Sequence, residues 1–309
     1  MNDRGRYGLL GDPVDHSLSP ALYRAAFAFL QVPAVYQAYR VPGHDDATLG
    51  RRMFELAASG GGNVTVPHKS SAAGHLQVRS RTVDRTGACN CFWLDSAGRL
   101  AGDNTDVGGF LSATADLSAL QLEGASVLLL GAGGGARAVA LACSEAGVGR
   151  LVLYNRTAGR AGALVTDLDI EDVATVGSHV EVSSDAWDLV VNATSLGLVR
   201  GDALPLTLER DRFGCAFDLV YGTGGTDWTR HAAAMGIQAV DGLSMLVSQA
   251  VLSLERWLGP LPDRGGVTRA MWQAVSAVPR YGARLGRRAE ACGYGRPASP
   301  GPFWTSSMP

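Results

Sequence analysis

The sequence lacks any apolar run that approaches the roughly 20 residues needed to span a bilayer. It also lacks an excess of one charge, since 27 Lys+Arg stand against 29 Asp+Glu and the formal net charge is −2. A chain of this charge is not drawn to nucleic acid or to an anionic membrane, and we expect neither as a partner. The first residues show no signal peptide, which favours a cytoplasmic location.

Cysteine is scarce and scattered along the chain. The five cysteines are Cys89, Cys91, Cys143, Cys215 and Cys292, with one C-x-C spacing and no C-x-x-C. An odd number at such spacings indicates neither a disulfide framework nor a zinc site, so we predict no bound metal. A reducing compartment is the simplest setting for free thiols. The sequence has no internal repeat either.

The apolar content is sufficient for more than one packed core. Of 309 residues, 46% are hydrophobic and 18% are charged. This balance argues against wholesale disorder, and the length makes two domains the first expectation. After Pro279 the composition changes to Arg, Gly, Pro and Ser. We therefore expect residues 279–309 to form a mobile tail.

One stretch near the middle of the chain organises the rest. Residues 127–130 are consecutive apolar residues, as in a strand buried on both faces, and a G-x-G-x-x-A cluster follows before a helix-forming run. Gly131 allows a tight turn, Gly133 allows the backbone to approach a pyrophosphate, and Ala136 allows the helix to pack on the strand. The alternative is a flexible glycine-rich loop, but the flanking strand and helix favour dinucleotide binding.

The next buried strand, over 151–154, indicates which dinucleotide is bound. It ends in Asn155, Arg156 and Thr157, and Arg160 follows. A site specific for NAD would place Asp or Glu there to bind the ribose 2′-hydroxyl. An asparagine and two arginines suit a 2′-phosphate instead, so we predict NADP.

Alternating strands and helices predict an α/β fold. Strands over 188–194 and 216–221 follow the nucleotide fingerprint with helical segments between them, a pattern typical of a parallel, doubly wound sheet. Before the fingerprint we predict a strand over 34–39 and a helix over 49–58. Long helices over 243–258 and 267–278 are expected near the end.

Ser17 and Ser19 precede a helix predicted over 21–30. Ser19 suits the N-cap and Pro20 the first helical position. This capping role accounts for Ser19 but leaves Ser17 unexplained. In an extended segment the two side chains point the same way, so both hydroxyls can converge on a small anion or a polyol.

Lys69 stands at the predicted start of a helix over 70–76, after a strand over 63–66 that Pro67 ends. The helix macrodipole opposes a cation there, and this conflict with local preference favours a functional lysine over a structural one. A hairpin over 88–93 and 99–102 then leads to Asn104 and Asp106. Either of these two residues could simply cap the helix that follows.

With these segments in order, the chain resembles the shikimate dehydrogenase family, which includes shikimate and quinate dehydrogenases. The resemblance extends from Tyr7 to about Val278, and its signatures are residues 16–20, 63–69, 102–106, 155–157 and 241–249. It implies an N-terminal α/β substrate domain over 1–107, completed by helices within 243–278. It also implies a Rossmann NADP-binding domain over 120–242, with the active site in the cleft between the two.

The resemblance further implies the roles of individual residues. Ser17 and Ser19 would bind the substrate carboxylate. The ring hydroxyls would be surrounded by Thr65, Lys69, Asn90, Asp106 and Gln249, with Tyr221 near both substrate and nicotinamide. The pyrophosphate of the cofactor would be held by Gly131, Ala132, Gly133, Gly134 and Gly135. Its 2′-phosphate would be bound by Asn155, Arg156, Thr157 and Arg160. Two further residues would lie beside the cofactor, Leu219 and Gly242.

Lys69 is the residue we expect to transfer the substrate proton, with Asp106 as its partner. A helix N-terminus and a dry cleft disfavour a charged lysine, whereas Asp106 favours it, and the sequence leaves this balance open. The expected activity is the reversible NADPH-dependent reduction of 3-dehydroshikimate to shikimate. Cys91, where many relatives have threonine, and Leu219, at an often bulkier position, leave the exact substrate open.

Other activities and assemblies remain as alternatives. A quinate or aminoshikimate dehydrogenase is the alternative within the family. A non-catalytic NADP-sensing module is the alternative from another class, although such a module needs neither Lys69 nor Asp106. The oligomeric state is open, with a homodimer as the candidate assembly.

Overall fold

The computed structural model describes residues 5–15, 17–43, 45–199, 201–222 and 224–276. The strands are β1 (Arg6–Gly11), β2 (Val35–Arg40), β3 (Gly60–Val64), β4 (Val78–Arg79), β5 (Cys91–Leu94), β6 (Leu100–Asp103), β7 (Ser126–Leu130), β8 (Arg150–Tyr154), β9 (Ala174–Val176), β10 (Trp187–Asn192), β11 (Phe213–Asp218) and β12 (Gln238–Val240). The helices are α1 (Ser19–Phe29), α2 (Asp46–Ser59), α3 (Lys69–His75), α4 (Arg81–Thr86), α5 (Asp106–Thr114), α6 (Gly134–Glu145), α7 (Ala158–Leu168), α8 (His179–Ser184), α9 (Asp227–Ala234), α10 (Leu243–Leu258) and α11 (Arg264–Ser276). His16 and the predicted tail over 279–309 lie outside the described residues.

The second sheet has the topology predicted for dinucleotide binding. Its strand order is β12-β11-β10-β7-β8-β9, and every neighbouring pair is parallel. This is the 3-2-1-4-5-6 order of a doubly wound sheet. Strand β7 is central and buried on both faces, because Val127 and Leu129 join one core cluster while Leu128 and Leu130 join another. The apolar run that marked this strand is explained by that burial.

The first sheet is mixed, with the order β2-β1-β3-β5-β6-β4. Strand β1 runs parallel to β2 and β3, whereas β5 is antiparallel to both of its neighbours. Cys91 of β5 pairs with Asn63 of β3 on one side and with Asp103 of β6 on the other. The carboxyl ends of β3 and β6 and the amino end of β5 therefore lie at one edge of the sheet.

Helices α10 and α11 return to the first sheet and complete its core. Val247, Ala250 and Leu254 of α10 share a buried cluster with residues of β1 and α1 such as Leu9 and Leu22. The helix predicted over 243–258 is observed as α10 over the same residues. In the described part of the chain no helix is both long and apolar enough to cross a membrane.

Two local predictions near the first sheet are wrong, and a capping role left open for Asn104 and Asp106 is not observed. Leu18, not Ser19, is the N-cap of α1, and its αR backbone means that residues 17–19 are not an extended segment. Ser17 instead accepts a hydrogen bond from the Ser19 amide at 3.2 Å, which satisfies an amide that the helix leaves free. Neither Asn104 nor Asp106 caps α5, whose N-cap is Thr105. Their side chains are engaged in tertiary contacts instead.

Strand ends differ from the predicted ones by a few residues. Strand β3 ends at Val64, so Thr65 lies beyond it, and β11 ends at Asp218, so Leu219 and Tyr221 lie beyond it. The residues that follow each strand continue its apolar pattern, although the paired register ends at Val64 and at Asp218. These residues therefore form the loops at the carboxyl edges, where parallel sheets place their binding sites.

Candidate active site

The structure brings Lys69 and Asp106 together at the carboxyl edge of the first sheet. Lys69 is the first residue of α3 and Asp106 the first residue of α5. Lys69 Nζ donates to Asp106 Oδ2 at 2.5 Å. The side chains are 17% and 7% exposed, so the ion pair is largely shielded from water yet one edge of the lysine is open. An amine that is held in position and is partly open to solvent can take part in proton transfer.

Asn90 fixes the second oxygen of this carboxylate. Its Nδ2 donates to Asp106 Oδ1 at 2.8 Å, and its own Oδ1 accepts from the Thr105 amide at 2.7 Å and from the Thr105 hydroxyl at 3.1 Å. Asn90 is almost fully buried. Because both sides of its amide are engaged, the orientation of Asp106 towards Lys69 is determined by the surrounding backbone.

Helix α10 contributes two side chains to the site, Gln249 and Ser253. Oε1 of Gln249 lies 3.4 Å from both Asn90 Nδ2 and Thr105 Oγ1. One turn later, Ser253 Oγ contacts Thr105 Oγ1 at 3.2 Å and accepts from Asn63 Nδ2 at 3.0 Å. Sequence reasoning missed the roles of Asn63, Thr105 and Ser253. Asn63 and Thr105 lie within the signatures at residues 63–69 and 102–106. Ser253 is four residues after Gln249 on the same helix, and this spacing could have indicated that the two side chains share a face.

The turn that carries Asp106 is tied down by Asp103, the last residue of β6. Its Oδ1 accepts from Ser80 Oγ at 2.6 Å and from the Thr82 hydroxyl, and its Oδ2 accepts from Arg256 Nε at 2.7 Å. Burial alone would raise the pKa of Asp103, but the Arg256 charge and these hydrogen bonds outweigh it, and the pKa is lowered. A buried, ionised aspartate thus holds β6 against α4 and α10.

Four other predicted substrate residues lie on loops and at a helix start that follow strands of the two sheets. Ser17 and Ser19 are at the beginning of α1, which follows β1, and Ser19 is buried. Thr65 follows β3, and its methyl group lies beside Gly11 at the end of β1. Tyr221 packs against the core cluster shared by α1 and α10. The structure thus places these predicted residues at the strand ends, as the sheet topology requires.

The glycine loop after β7 has the features expected for a pyrophosphate site. Gly131 has φ +110°, and a Cβ there would lie 2.7 Å from the Ala193 carbonyl, so glycine is required. Gly133 is the exposed N-cap of α6, and a Cβ on it would meet nothing within 4 Å. Open space over the N-terminus of a 12-residue helix fits a phosphate group. Ala136 is fully buried, as expected for close helix–strand packing.

The residues after β8 fit a 2′-phosphate. Asn155 Nδ2 donates to the Thr157 carbonyl at 2.8 Å and shapes the turn into α7. Arg156 and Arg160 are exposed, and neither forms an ion pair with any other residue that the structure describes. Two uncommitted guanidinium groups at a strand end are the donor set that a phosphate monoester requires.

The glycine loop and the Lys69 side chain meet at the junction of the two sheets. A Cβ on Gly134 would lie 3.4 Å from Lys69 Cδ, and a Cβ on Gly135 would lie 2.9 Å from Leu219 Cδ2. Gly242 approaches the Leu219 carbonyl so closely that a Cβ would lie 2.1 Å from it. The glycine loop therefore lies against the Lys69 side chain, an arrangement that would suit hydride transfer between a bound dinucleotide and a substrate beside Lys69.

Asp218 is a buried carboxylate that the sequence did not single out. It accepts from Asn192 Nδ2 at 2.8 Å, from the Val220 amide at 3.0 Å and from Thr226 Oγ1 at 2.6 Å. Burial is the main cause that raises the pKa of Asp218 to about 6. Among the described residues no group of His, Cys, Asp or Glu is arranged to hold a metal ion.

Comparison with known proteins identifies the family of this chain. Residues 9–92 match the family described as the shikimate dehydrogenase substrate binding domain. The chain is 37% identical over 279 residues to the shikimate dehydrogenase (NADP(+)) of Geobacillus kaustophilus, covering 89% of this chain and 99% of that protein.

Solved structures agree with the sequence comparison. The Aquifex aeolicus shikimate dehydrogenase superposes with a TM-score of 0.77 at 29% identity, covering 87% of this chain and 98% of that one. The Thermus thermophilus enzyme, solved in complex with NADP(H) and shikimate, gives a TM-score of 0.72 at 35% identity, covering 87% and 99% of the two chains.

Proposed function

The chain belongs to the shikimate dehydrogenase family, and from this membership we propose that it catalyses the reversible NADPH-dependent reduction of 3-dehydroshikimate to shikimate. The main structural support is the 2.5 Å contact between Lys69 Nζ and Asp106 Oδ2 beside the glycine loop. Such a pair can move a proton to or from the oxygen of the carbon that exchanges hydride. For an enzyme of this biosynthetic kind we propose a cytoplasmic location.

Lys69 serves as general acid and general base. In the reducing direction its Nζ gives a proton to the carbonyl oxygen of the substrate as that oxygen gains negative charge. In the oxidising direction the neutral amine accepts the hydroxyl proton. NADPH, when bound, supplies the hydride, so the protein's own task is proton transfer and positioning.

Asp106 and Asn90 orient the lysine and the reacting hydroxyl. Asp106 Oδ2 holds Nζ, and the Asn90 bond to Oδ1 at 2.8 Å keeps the carboxylate from rotating away. Asp106 also offers an acceptor to a neighbouring ring hydroxyl, and Gln249 and Thr65 complete the polar ring around it. Ser17 and Ser19 bind the carboxylate through their hydroxyl groups at the first turn of α1.

The cofactor is held by residues of the second sheet. Gly131, Ala132, Gly133, Gly134 and Gly135 surround the pyrophosphate. Asn155, Arg156, Thr157 and Arg160 hold the 2′-phosphate, and Leu219 and Gly242 lie alongside the nicotinamide half. Tyr221 lies near both the substrate and the nicotinamide. The domain limits that follow are 1–107 with 243–278 for the substrate, and 120–242 for NADP.

A substrate panel with purified protein tests this function. Nicotinamide absorbance is followed with shikimate, quinate and aminoshikimate, each with NADP and with NAD. We expect shikimate with NADP to give the highest kcat/KM. Quinate carries one more hydroxyl, and a buried hydroxyl without a partner costs about 1–3 kcal/mol, or roughly 5- to 150-fold in kcat/KM.

Two results contradict parts of this proposal. Faster turnover of quinate or aminoshikimate would replace the substrate but leave the dehydrogenase activity. Absence of turnover with every compound, together with tight NADPH binding, would support the non-catalytic sensor. Size measurement in solution of the same sample tests the candidate homodimer.

A further inference from the structure

Helix α4 joins the turn that carries Asp106 to the helix that follows the glycine loop. Thr86, the last residue of α4, is fully buried and forms hydrogen bonds both to the turn and to α6. Thr86 Oγ1 accepts from Asn104 Nδ2 at 3.0 Å, and the Thr86 carbonyl accepts from Arg137 Nη1 at 3.1 Å. Arg137 is the fourth residue of α6. One residue thus connects the cofactor half to the catalytic turn.

The contact between Arg137 and Thr86 has a clear electrostatic basis. The last carbonyls of a helix have no partner within the helix and carry partial negative charge. Gly87 ends α4 in the left-handed conformation with φ +60°, and a Cβ there would lie 3.8 Å from Arg137 Nη1. The guanidinium therefore caps α4 from the other half of the molecule. It also pairs with Asp167 of α7, which limits its freedom.

Asn104 depends on this helix for its side-chain position. Its Oδ1 is buried and has no hydrogen-bond partner among the described residues, so the bond from Nδ2 to Thr86 is the anchor of that side chain. Asn104 is followed directly by Thr105, which bonds Asn90, and by Asp106, which bonds Lys69. A shift of Thr86 would therefore be passed on to the proton-transfer pair.

A second arginine crosses the same junction without reaching the catalytic turn. Arg85 Nη2 donates to the Leu168 carbonyl at 2.8 Å, so it caps α7 as Arg137 caps α4. The Arg85 side chain has no hydrogen bond to Asn104, Thr105 or Asp106 in the part of the chain that the structure describes. Arg85 therefore offers a matched control. Its replacement removes a contact between α4 and α7 but leaves the contacts of the Asn104–Asp106 turn in place.

We propose that Arg137 and Thr86 are positioning residues that couple the glycine loop to the Asn104–Asp106 turn. The proposal rests on the proposed dehydrogenase function for its kinetic consequences, but the coupling itself is a property of the fold. Cofactor bound at the glycine loop restrains α6, and through Thr86 it restrains a turn in the other half.

Hydrogen exchange measures the coupling without turnover. We expect NADP+ to slow amide exchange of residues 104–106 in the wild-type chain. This protection should be lost in Arg137→Met and Thr86→Val, and kept in Arg85→Met and Thr86→Ser. Protection that persists in Arg137→Met overturns the proposal, as does absence of any NADP+ effect on this turn in the wild type.

Kinetics supply the second readout. In an active wild type, kcat should fall by about tenfold or more in Arg137→Met and Thr86→Val, since a misplacement near 1 Å can cost 10²-fold. The primary isotope effect with deuterated NADPH should rise, and the double variant should be no worse than the poorer single one. Additive losses, or an equal loss in Arg85→Met, overturn the link. If the wild type reduces no substrate while the exchange result holds, the proposed function fails and the link remains.

Discussion

Lys69 is the only lysine in the 309-residue sequence. Its position at the first residue of α3 is unfavourable for a cation, and the Asp106 carboxylate at 2.5 Å offsets this. The proposed use of the amine in proton transfer accounts for a partly buried lysine at this position. Because the sequence has no other lysine, a reagent selective for primary amines can react only with Lys69 and with the N-terminal amino group.

Replacement of this lysine tests the proton transfer. Lys69→Met should lower kcat by at least the roughly 10²-fold that lost general acid–base catalysis costs, with a smaller change in KM. The measurement is steady-state shikimate oxidation over a range of pH. Arg79→Met, on the exposed end of β4, is a control that should keep wild-type kcat. A Lys69→Met protein with near-normal kcat would remove Lys69 from the mechanism.

Arg156 should select NADP over NAD. Arg156→Ala should weaken NADP binding by about 1.5–3 kcal/mol if a charge-assisted hydrogen bond to the 2′-phosphate is lost. NAD binding should change little, because that cofactor has no phosphate there. Titration calorimetry with both cofactors measures this, with Arg99→Ala in the β5–β6 turn as a control. Equal losses for NADP and NAD would show that Arg156 does not recognise the phosphate.

Asp218 should make stability fall as pH rises. Its folded pKa is about 6 and its ordinary value is 3.8, so its contribution is fully present below 3.8 and is lost as pH rises through about 6. The difference corresponds to about 3 kcal/mol at neutral pH. Asp218→Asn keeps the bonds to Asn192 and Val220 and can donate to Thr226. We expect this variant to be more stable than wild type at pH 7 and similar at pH 4.

Denaturant unfolding at several pH values measures this effect. Asp188 supplies the opposite sign, because the Ser126 amide and hydroxyl lower its pKa. Its contribution is present above the unfolded pKa and is lost as pH falls. A wild-type and Asp218→Asn pair with parallel stability profiles from pH 4 to pH 7 would contradict the assignment.

At the scale of single elements, the β7–α6 unit uses its glycines for different reasons. Gly131→Ala places a Cβ at positive φ and against the Ala193 carbonyl, so the free energy of unfolding should fall by about 1–3 kcal/mol. Gly133→Ala adds a methyl group in open space at negative φ. Its stability should stay within about 0.5 kcal/mol of wild type.

Gly133→Ala, which should leave stability nearly unchanged, is the variant expected to weaken cofactor binding. The Gly133→Ala methyl group would occupy the space assigned to the pyrophosphate, so NADP affinity should fall more than tenfold, roughly 1.4 kcal/mol. Thermal unfolding and fluorescence titration on the same samples provide both quantities. Unchanged affinity in a stable Gly133→Ala protein would place the pyrophosphate elsewhere.

At the scale of the whole molecule, the first sheet depends on the end of the chain. Its core cluster contains Leu9, Leu22 and Phe27 from the beginning, and Val247, Leu254 and Met271 from α10 and α11. A fragment of residues 1–107 would expose this cluster. We expect it to show no cooperative unfolding transition, because the lost apolar contacts exceed the few kcal/mol of net stability of a small domain.

A linked fragment provides the control for that experiment. A chain in which residues 108–242 are replaced by a long Gly/Ser linker restores α10 and α11, and it should unfold cooperatively by circular dichroism. A cooperative transition in residues 1–107 alone would show that the returning helices are not needed for this core.

The sequence by itself determined the features that depend on near neighbours. Residues 127–136 indicated a buried strand, a glycine turn and a helix, because the apolar run and the backbone freedom of Gly131 are local properties. The absence of a carboxylate after β8 indicated NADP for the same reason. The motifs around Lys69 and Asp106 indicated the family, but the capping assigned to Ser19 was wrong because Ser17 supplies that acceptor.

The tertiary structure decided which distant residues meet. Lys69 and Asp106 are 37 positions apart, and Thr105 and Ser253 are 148 apart. Their contacts follow from the register of β3, β5 and β6 and from the return of α10, which no local pattern encodes. The raised pKa of Asp218 and the link from Arg137 through Thr86 are of the same kind, because burial and the capping of one helix by another element arise only when the sheets and helices pack together.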